Sequence, residues 1–350
     1  METRVFEENE LNEAAKLLSA GGIIAFPTET VYGLGVVADN EEAFKKLVDV
    51  KQRSPEKPFT LMCCNFTQAI QLCEIDVASV AVMKEFMPGE ITVLLRPRAG
   101  VPAWITLGKQ TLGVRIPANP ETLALIEKVD KPLLVPSANK ADKEPETSFN
   151  GVRDIFFGEI DGIVKGECKG GKPSTIVDLS VPGEPKLVRE GPISFEQILE
   201  VYNNAWCSVA IGSDHGGFAL KEKIVEHLSE RGFEVDDYGT FNADSCDYPH
   251  FGHHVGHAVA EKDANFGIVV CTSGEGIMMA AAKVKGVRAG IGYDDIVVGK
   301  MREHNDANVI SFGAKYMKEE DVLRRVDIFL TEKVSPEKKH HRRVKLIEKI

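Results

Sequence analysis

The 350-residue sequence contains no stretch approaching eighteen consecutive apolar residues, which excludes an ordinary membrane-spanning helix. Its start, Met1-Glu2-Thr3-Arg4-Val5-Phe6, lacks the apolar core of a secretory leader, so export is not expected. Its seven cysteines are an odd number without the spacing of a disulfide framework, so reduced thiols and a cytoplasmic setting are expected. Bulk positive charge is missing from both halves. Up to Ala205 there are 22 basic and 30 acidic side chains, and from Trp206 on 20 and 23, which gives the formal net charge of −11. Neither half therefore has the character of a non-specific nucleic-acid binder, although a local basic groove stays open. No histidine precedes His215, so imidazole chemistry belongs to the second half. The glycine turn near residue 274 is not a G-x-G-x-x-G fingerprint, which argues against dinucleotide binding.

What is present divides in two. The length exceeds that of a usual single core, and 43% hydrophobic with 27% charged residues describes an ordinary globular protein. The seam lies between Glu190 and Gly217. There Gly191-Pro192 makes a turn, and Ser194 with Gln197 caps an amphipathic helix. A new apolar strand at Ser208 then runs into Asp214-His215-Gly216-Gly217 and a helix from Phe218, the way an α/β domain opens. Domains of 1–205 and 206–350 are expected.

In the first half, a helix over Asn9–Ala20 places Leu11, Ala14, Ala15 and Leu18 on one face and ends at Gly21-Gly22. A buried strand, Ile23–Phe26, leads into Pro27-Thr28-Glu29-Thr30. A helix from Glu41 delivers Lys51-Gln52-Arg53, followed by Pro55, Lys57 and a strand through Phe59–Met62. Cations at a helix end beside a proline turn are well placed to grip phosphate. Arg115, in a short apolar strand, needs an anion, from a ligand or from a structural salt bridge, because an unpaired buried guanidinium is costly. Ser137 and Asn139 follow the apolar strand Leu133–Val135, and Ser174 and Arg189 sit at further strand ends.

In order, K-x-R at Lys51–Arg53 and S-x-N at Ser137–Asn139, with PTETVYGLG, VRIP, PSTIVD and VREG, resemble the YrdC-like family over residues 5–203. The resemblance implies a twisted mixed sheet with flanking helices, of α+β character, and an L-threonylcarbamoyladenylate synthase. Such an enzyme joins L-threonine, bicarbonate and ATP with Mg2+, releases pyrophosphate, and supplies tRNA modification through other transfer proteins. The resemblance implies Thr30, Arg115 and Ser174 for threonine, with Arg115 on its carboxylate. It implies Lys51, Arg53, Lys57, Thr111, Ser137, Asn139 and Arg189 for ATP. Positioned cations suffice for this chemistry, and no protein nucleophile is needed. The chain departs from the family at Pro58-Phe59-Thr60-Leu61-Met62, where Met62 removes a polar contact, and at Pro88-Gly89-Glu90. A non-catalytic RNA-binding module is the competing expectation for this half.

From Ser208 strands and helices alternate: strands at 209–211, 233–235, 266–271, 287–291 and 308–312, helices at 218–230, 256–262, 277–283, 296–302 and 322–330. This pattern predicts an α/β fold, a Rossmann-like αβα sandwich on a mostly parallel sheet, with its ligand at the C-terminal strand ends. Gly267–Cys271 delivers a thiol into a glycine turn whose amides form an anion-binding nest; the alternative is a core cysteine without chemistry. Asp247-Tyr248-Pro249-His250 is expected to precede a helix carrying His253, His254 and His257. These histidines have i,i+4 partners, yet no acid sits as in H-E-x-x-H, so no metal site is expected. Lys338–Arg343 is a basic patch, either a solvated tail or a phosphate clamp.

SDHGGF, DYPH, the Cys271 turn followed by AAAK, EHNDANV and the basic end together resemble type B ribose-5-phosphate isomerase, from about Ser208 onward. The resemblance implies cofactor-free interconversion of ribose 5-phosphate and ribulose 5-phosphate, in a homodimer with sites shared between subunits. It implies Cys271 as the base that moves a proton from C2 to C1, and His304 with Asp214 for ring opening. Amides from Ser273 through Gly274 to Gly276 would hold the oxyanion, Tyr248 and Asn305 the sugar, and His215, Lys315, Lys339 and Arg343 the phosphate. Ile277 stands where some members carry a glutamate base. Lys315 and Lys339 replace the usual arginines, keeping the charge without the bidentate fork. A six-carbon sugar phosphate and a merely dimerising second half remain open.

Overall fold

The computed structural model describes residues 2–52, 58–141 and 143–349. The chain forms two compact units, one holding 1–74 and 82–203, the other 75–81 and 204–350. Among the described residues no helix is long and apolar enough to cross a membrane.

The first unit is built on ten short strands: β1 (Arg4–Phe6), β2 (Ile24–Phe26), β3 (Gly33–Val37), β4 (Thr60–Met62), β5 (Ile91–Leu95), β6 (Leu112–Arg115), β7 (Leu133–Val135), β8 (Gly162–Val164), β9 (Thr175–Asp178) and β10 (Lys186–Arg189). Their order is β1-β8-β2-β3-β7-β4-β6-β5-β9-β10. Pairing is mixed: β4 and β6 run parallel, whereas β4 and β7, and β5 and β6, run antiparallel. The helix Leu11–Ser19 begins two residues later than its periodicity suggests, because Glu8–Glu10 form a 3-10 turn closed by a Glu7–Glu10 capping box. Its buried face is the expected one, Leu11, Ala14, Ala15 and Leu18. With Leu125, Ile126 and Val129 from the helix Pro120–Val129, that face covers Ile24, Phe26, Met62 and Leu133 of the sheet. Asn40 caps the helix Glu41–Lys51 by accepting from the Ala43 amide, and Gln52 stops it in the left-handed region at φ 49°.

The second unit is a five-stranded parallel sheet: β11 (Ser208–Ser213), β12 (Glu234–Asp237), β13 (Phe266–Cys271), β14 (Ala289–Ile291) and β15 (Val309–Gly313), in the order β12-β11-β13-β15-β14. Strand parity divides its core. Ala210, Val269, Cys271 and Val309 face the helices Tyr248–Ala260 and Glu275–Ala282. Phe266, of opposite parity, meets Phe329 of the helix Glu319–Thr331 at 5.5 Å. Both faces are thus covered, the setting in which parallel strands read as continuous apolar runs. Ser213 pairs with Val270 and Cys271 with Gly313, so β11, β13 and β15 end nearly flush.

Two expectations need correction. The helix predicted at 256–262 begins at Tyr248, so DYPH does not precede it: Asp247 is the cap and Pro249 lies in the first turn. Proline is tolerated there because the amides of the first turn have no intrahelical partner. The basic patch is not a free tail but a helix, Lys338–Ile347, with His340 buried.

Candidate active sites

In the first unit β4, β6, β7 and β9 border a cavity of about 170 Å³, whose lining includes Met62, Thr92, Arg115, Ser137, Ser174 and Arg189. Arg115 ends β6 and is 6% exposed. Its Nη2 donates to Glu29 Oε1 at 2.7 Å and to Thr30 Oγ1 at 2.9 Å. Thr28 donates to the Val31 carbonyl (2.7 Å) and lies 2.9 Å from the Thr30 hydroxyl. A hydroxyl has a single proton, so Thr30 must donate to Thr28 and the chain of bonds runs from Arg115 to Thr30 to Thr28. Glu29 is the structural anion that Arg115 required. Among the described residues the Nε of Arg115 is nevertheless buried without a hydrogen-bond partner.

Arg189 approaches the same cavity from β10. Its Nε and Nη2 donate to the Ser174 carbonyl at 3.0 and 2.8 Å, and the Ser174 hydroxyl lies 2.9 Å from that of Thr92. Burial, and then the charge of Arg115, pushes the Arg189 guanidinium below its ordinary pKa. Two cations facing one cavity repel until an anion enters. Cys168 is pushed up to about 11, mainly by burial, so its thiol is not a nucleophile at neutral pH.

Lys51 is bound to the S-x-N loop. It is 2% exposed, and its ammonium donates to the Ser137 carbonyl (2.6 Å), the Asn139 carbonyl (2.6 Å) and Asn139 Oδ1 (2.7 Å). These bonds tie Lys51 to the S-x-N loop. The Ser137 hydroxyl donates to the same Asn139 oxygen at 2.7 Å. Thr111, just before β6, does not line the cavity, and Arg53 and Lys57 lie outside the described residues.

In the second unit the flush strand ends carry the site. Cys271 Sγ accepts from the Gly274 amide at 3.1 Å. Gly274 has φ +84°, and a Cβ there would lie 2.9 Å from the Phe312 carbonyl carbon, so only glycine fits. The Ser311 hydroxyl holds the Gly274 carbonyl at 2.6 Å. Asp214 accepts from the Gly217 amide at 2.9 Å, the Lys315 amide donates to the Thr272 carbonyl at 3.1 Å, and the Tyr248 ring covers Gly276. The Cys246 amide donates to His215 Nδ1 at 3.2 Å, which leaves the neutral ring's proton on Nε2. Cys271, Asp214, His215, Ser273, Gly274, Gly276, Tyr248 and Lys315 thus gather at one edge of the sheet.

His304 and Asn305 belong to the other edge. They end the helix Asp295–Asn305, just before β15 begins, where the Asn308 carbonyl accepts from Gly267 at 2.9 Å. Gly267 and Cys271 are four residues apart on β13, roughly 13 Å along the strand. His304 stacks on His340 with ring centroids 4.1 Å apart, and Lys339 and Arg343 lie on the same helix as His340. Burial above all, then His340, Lys300 and Lys339, lowers the His304 pKa against the pull of Glu303. One copy of the chain therefore does not bring His304 to Asp214 and Cys271. Glu29, Thr28, Thr92 and His340 escaped the sequence reading; only Glu29 left a signal, as the sole acid within Pro27–Thr30.

The two halves thus present two α/β enzyme sites joined in one chain. Residues 16–191 match the Sua5/yciO/yrdC family model, described as telomere recombination, and residues 209–347 match the LacAB/rpiB model, described as ribose/galactose isomerase. The chain belongs to both families, one in each half. It is 38% identical over 197 residues to the threonylcarbamoyl-AMP synthase of Pyrococcus abyssi, covering 56% of this chain and 58% of that protein. It is 43% identical over 122 residues to the ribose-5-phosphate isomerase B of Escherichia coli, covering 35% of this chain and 82% of that protein. The crystal structure of E. coli YciO superposes with a TM-score of 0.53 at 28% identity, covering 56% of this chain and 99% of that one. The chain thus spans little more than half the length of its synthase relative.

Proposed function

We propose that the chain is a bifunctional enzyme, with the working parts divided near residue 205. The first half makes L-threonylcarbamoyladenylate. The amine of threonine captures carbon dioxide as a carbamate, a carbamate oxygen attacks the α-phosphorus of ATP, and pyrophosphate leaves. The threonine carboxylate lies against the unfilled edge of Arg115, with Thr30 and Ser174 beside it. Ser137, Asn139 and Arg189 face the nucleotide, and Lys51 holds their loop. Arg53, Lys57 and Thr111 remain assigned to the nucleotide from the motif alone. Mg2+ enters on the phosphates of ATP, as is usual for an ion held mainly by its substrate. The product serves tRNA modification through other proteins.

The second half interconverts ribose 5-phosphate and ribulose 5-phosphate without a cofactor. Cys271, as thiolate, takes the proton from C2 and returns it to C1, while amides beyond Gly274 face the enediolate. His304, Asn305, Lys339 and Arg343 come from a second copy of the chain, so this half works as a homodimer. Asp214 pairs with that copy's His304 in ring opening, and His215 and Lys315 meet the phosphate.

The observation that carries the whole is that each unit has its own polar site: Arg115, Arg189 and Ser174 line one cavity in the first, and the Gly274 amide is aimed at Cys271 in the other. Pyrophosphate release by the full chain with ATP and bicarbonate is the test, with and without L-threonine, alongside ribose 5-phosphate isomerisation. Threonine-dependent release and isomerisation are expected. Isomerisation without release would reduce the first half to a binding module, and activity restricted to six-carbon sugar phosphates would reassign the second.

A further inference from the structure

The helix Lys338–Ile347 carries, besides Lys339 and Arg343, a row of cations that neither site uses. From Lys338 to Lys349 there are six cations, Lys338, Lys339, Arg342, Arg343, Lys345 and Lys349, against the single acid Glu348, in a chain of net charge −11. At 3.6 residues per turn, Lys338, Arg342 and Lys345 project on one side, and Lys349 continues that line in the turn beyond. All four are exposed, on the side away from buried His340. Several other cations of this unit are neutralised, Lys221 by Asp237, Arg288 by Asp306 and Glu348, and Arg324 and Arg325 by Asp295. Lys339, beside the stripe, pairs with Glu337 at 2.6 Å. Among the described residues Lys338, Arg342, Lys345 and Lys349 have no acidic partner.

From Lys338 to Lys349 the stripe runs roughly 16 Å at 1.5 Å per residue. A sugar phosphate would engage one or two such cations, whereas a row of four suits a polymer of phosphates. A lipid surface would need a broad apolar face next to the cations, and this helix exposes only Leu346 and Ile347 as large apolar side chains. We propose that the stripe docks the phosphate backbone of RNA. The choice of RNA among polyanions rests on the synthase reading, whose product is consumed on tRNA; the geometry itself supplies the polyanion.

The test is fluorescence anisotropy of a labelled, unmodified tRNA transcript with the full chain, at about 50 and about 200 mM salt. The expected result is binding that weakens with salt and falls at least about tenfold in K338E/R342E/K345E/K349E, while isomerase activity is unchanged. Retained isomerase activity shows that the variant is folded; if it is lost, the corresponding fourfold alanine variant takes its place. Wild-type protein that ignores tRNA at low salt would overturn the proposal. So would a variant that binds as well as wild type, or stripe-dependent binding to phosphatidylserine vesicles without tRNA binding. Threonine-dependent pyrophosphate release is scored separately in the same preparation. Stripe-dependent tRNA binding without release would retire the synthase reading and keep the surface; release without tRNA binding would do the reverse.

Discussion

The two candidate sites differ in how their charge is held. In the first unit Arg115 and Lys51 are buried, and their hydrogen bonds run to groups of the same unit: Glu29, Thr30, Ser137 and Asn139. In the second unit Cys271 meets a backbone amide at the end of a strand, and the histidine that should assist it stands at the opposite edge. Among the described residues of the first site, Arg115 and Lys51 are structural members as well as candidate site residues. The other has polar groups that are mostly exposed, among them His215, Tyr248, Ser273 and Lys315. Mutations should therefore damage fold and function together in the first unit, and function alone in the second.

The largest effect tests the second half of that contrast. Cys271→Ser should lower isomerisation by about 10²–10⁴-fold, with pyrophosphate release and thermal stability unchanged. Isomerisation that survives would show that another group is the base. Arg115→Ala should abolish threonine-dependent release and also destabilise the first unit by about 3–5 kcal/mol, because it strands Glu29. Differential scanning calorimetry that finds no loss of stability would break the comparison. Arg189→Ala is expected to raise the KM for substrate about tenfold with little change in melting temperature, since this guanidinium is only partly buried and binds the Ser174 carbonyl. A melting point that falls as far as that of Arg115→Ala would place Arg189 among the structural members too.

Two smaller effects follow from pH. Burial keeps His304 neutral to a lower pH than an ordinary histidine, so an acid limb due to His304 in isomerase kcat/KM should lie below about 6.5. His304→Asn should remove that limb; an unmoved profile would take His304 out of the chemistry. In the first unit, burial pushes Cys73 up to about 12. The folded state therefore favours the neutral thiol, and the resulting stability is fully present below the ordinary thiol pKa of about 8.5 and lost as pH rises from there toward 12. The loss approaches about 1.4 kcal/mol per pH unit, so Cys73→Ala should flatten the alkaline fall of the first unit's melting temperature. Parallel curves for the two proteins would show that Cys73 is not responsible.

Much of the second fold was legible, because parallel strands buried on both faces read as apolar runs between glycine turns. β13 appears at its expected bounds, Phe266–Cys271. The helix from Tyr248 reads as shorter in the sequence because proline and histidine hide its N-terminus, where Asp247 holds the cap position without a side-chain capping bond. In the first unit the motifs identified the loops and left the wiring unseen. Nothing in K-x-R says that the lysine points inward, since that depends on the distance from the end of one helix to a loop 86 residues away. The His304–His340 stack was equally hidden, because it joins two helices whose approach no local pattern encodes.

The separation of Cys271 and His304 along β13 also has a genetic reading. If the isomerase is a dimer that borrows His304 across its axis, the two residues define separate complementation groups within one gene. Cys271→Ala and His304→Ala chains, each inactive alone, would form mixed dimers in which one site has both defects and the other has neither. Random reassortment would restore about a quarter of wild-type activity. Two alleles of this gene could thus rescue each other in one cell, and a loss at one position need not be recessive to a loss at the other.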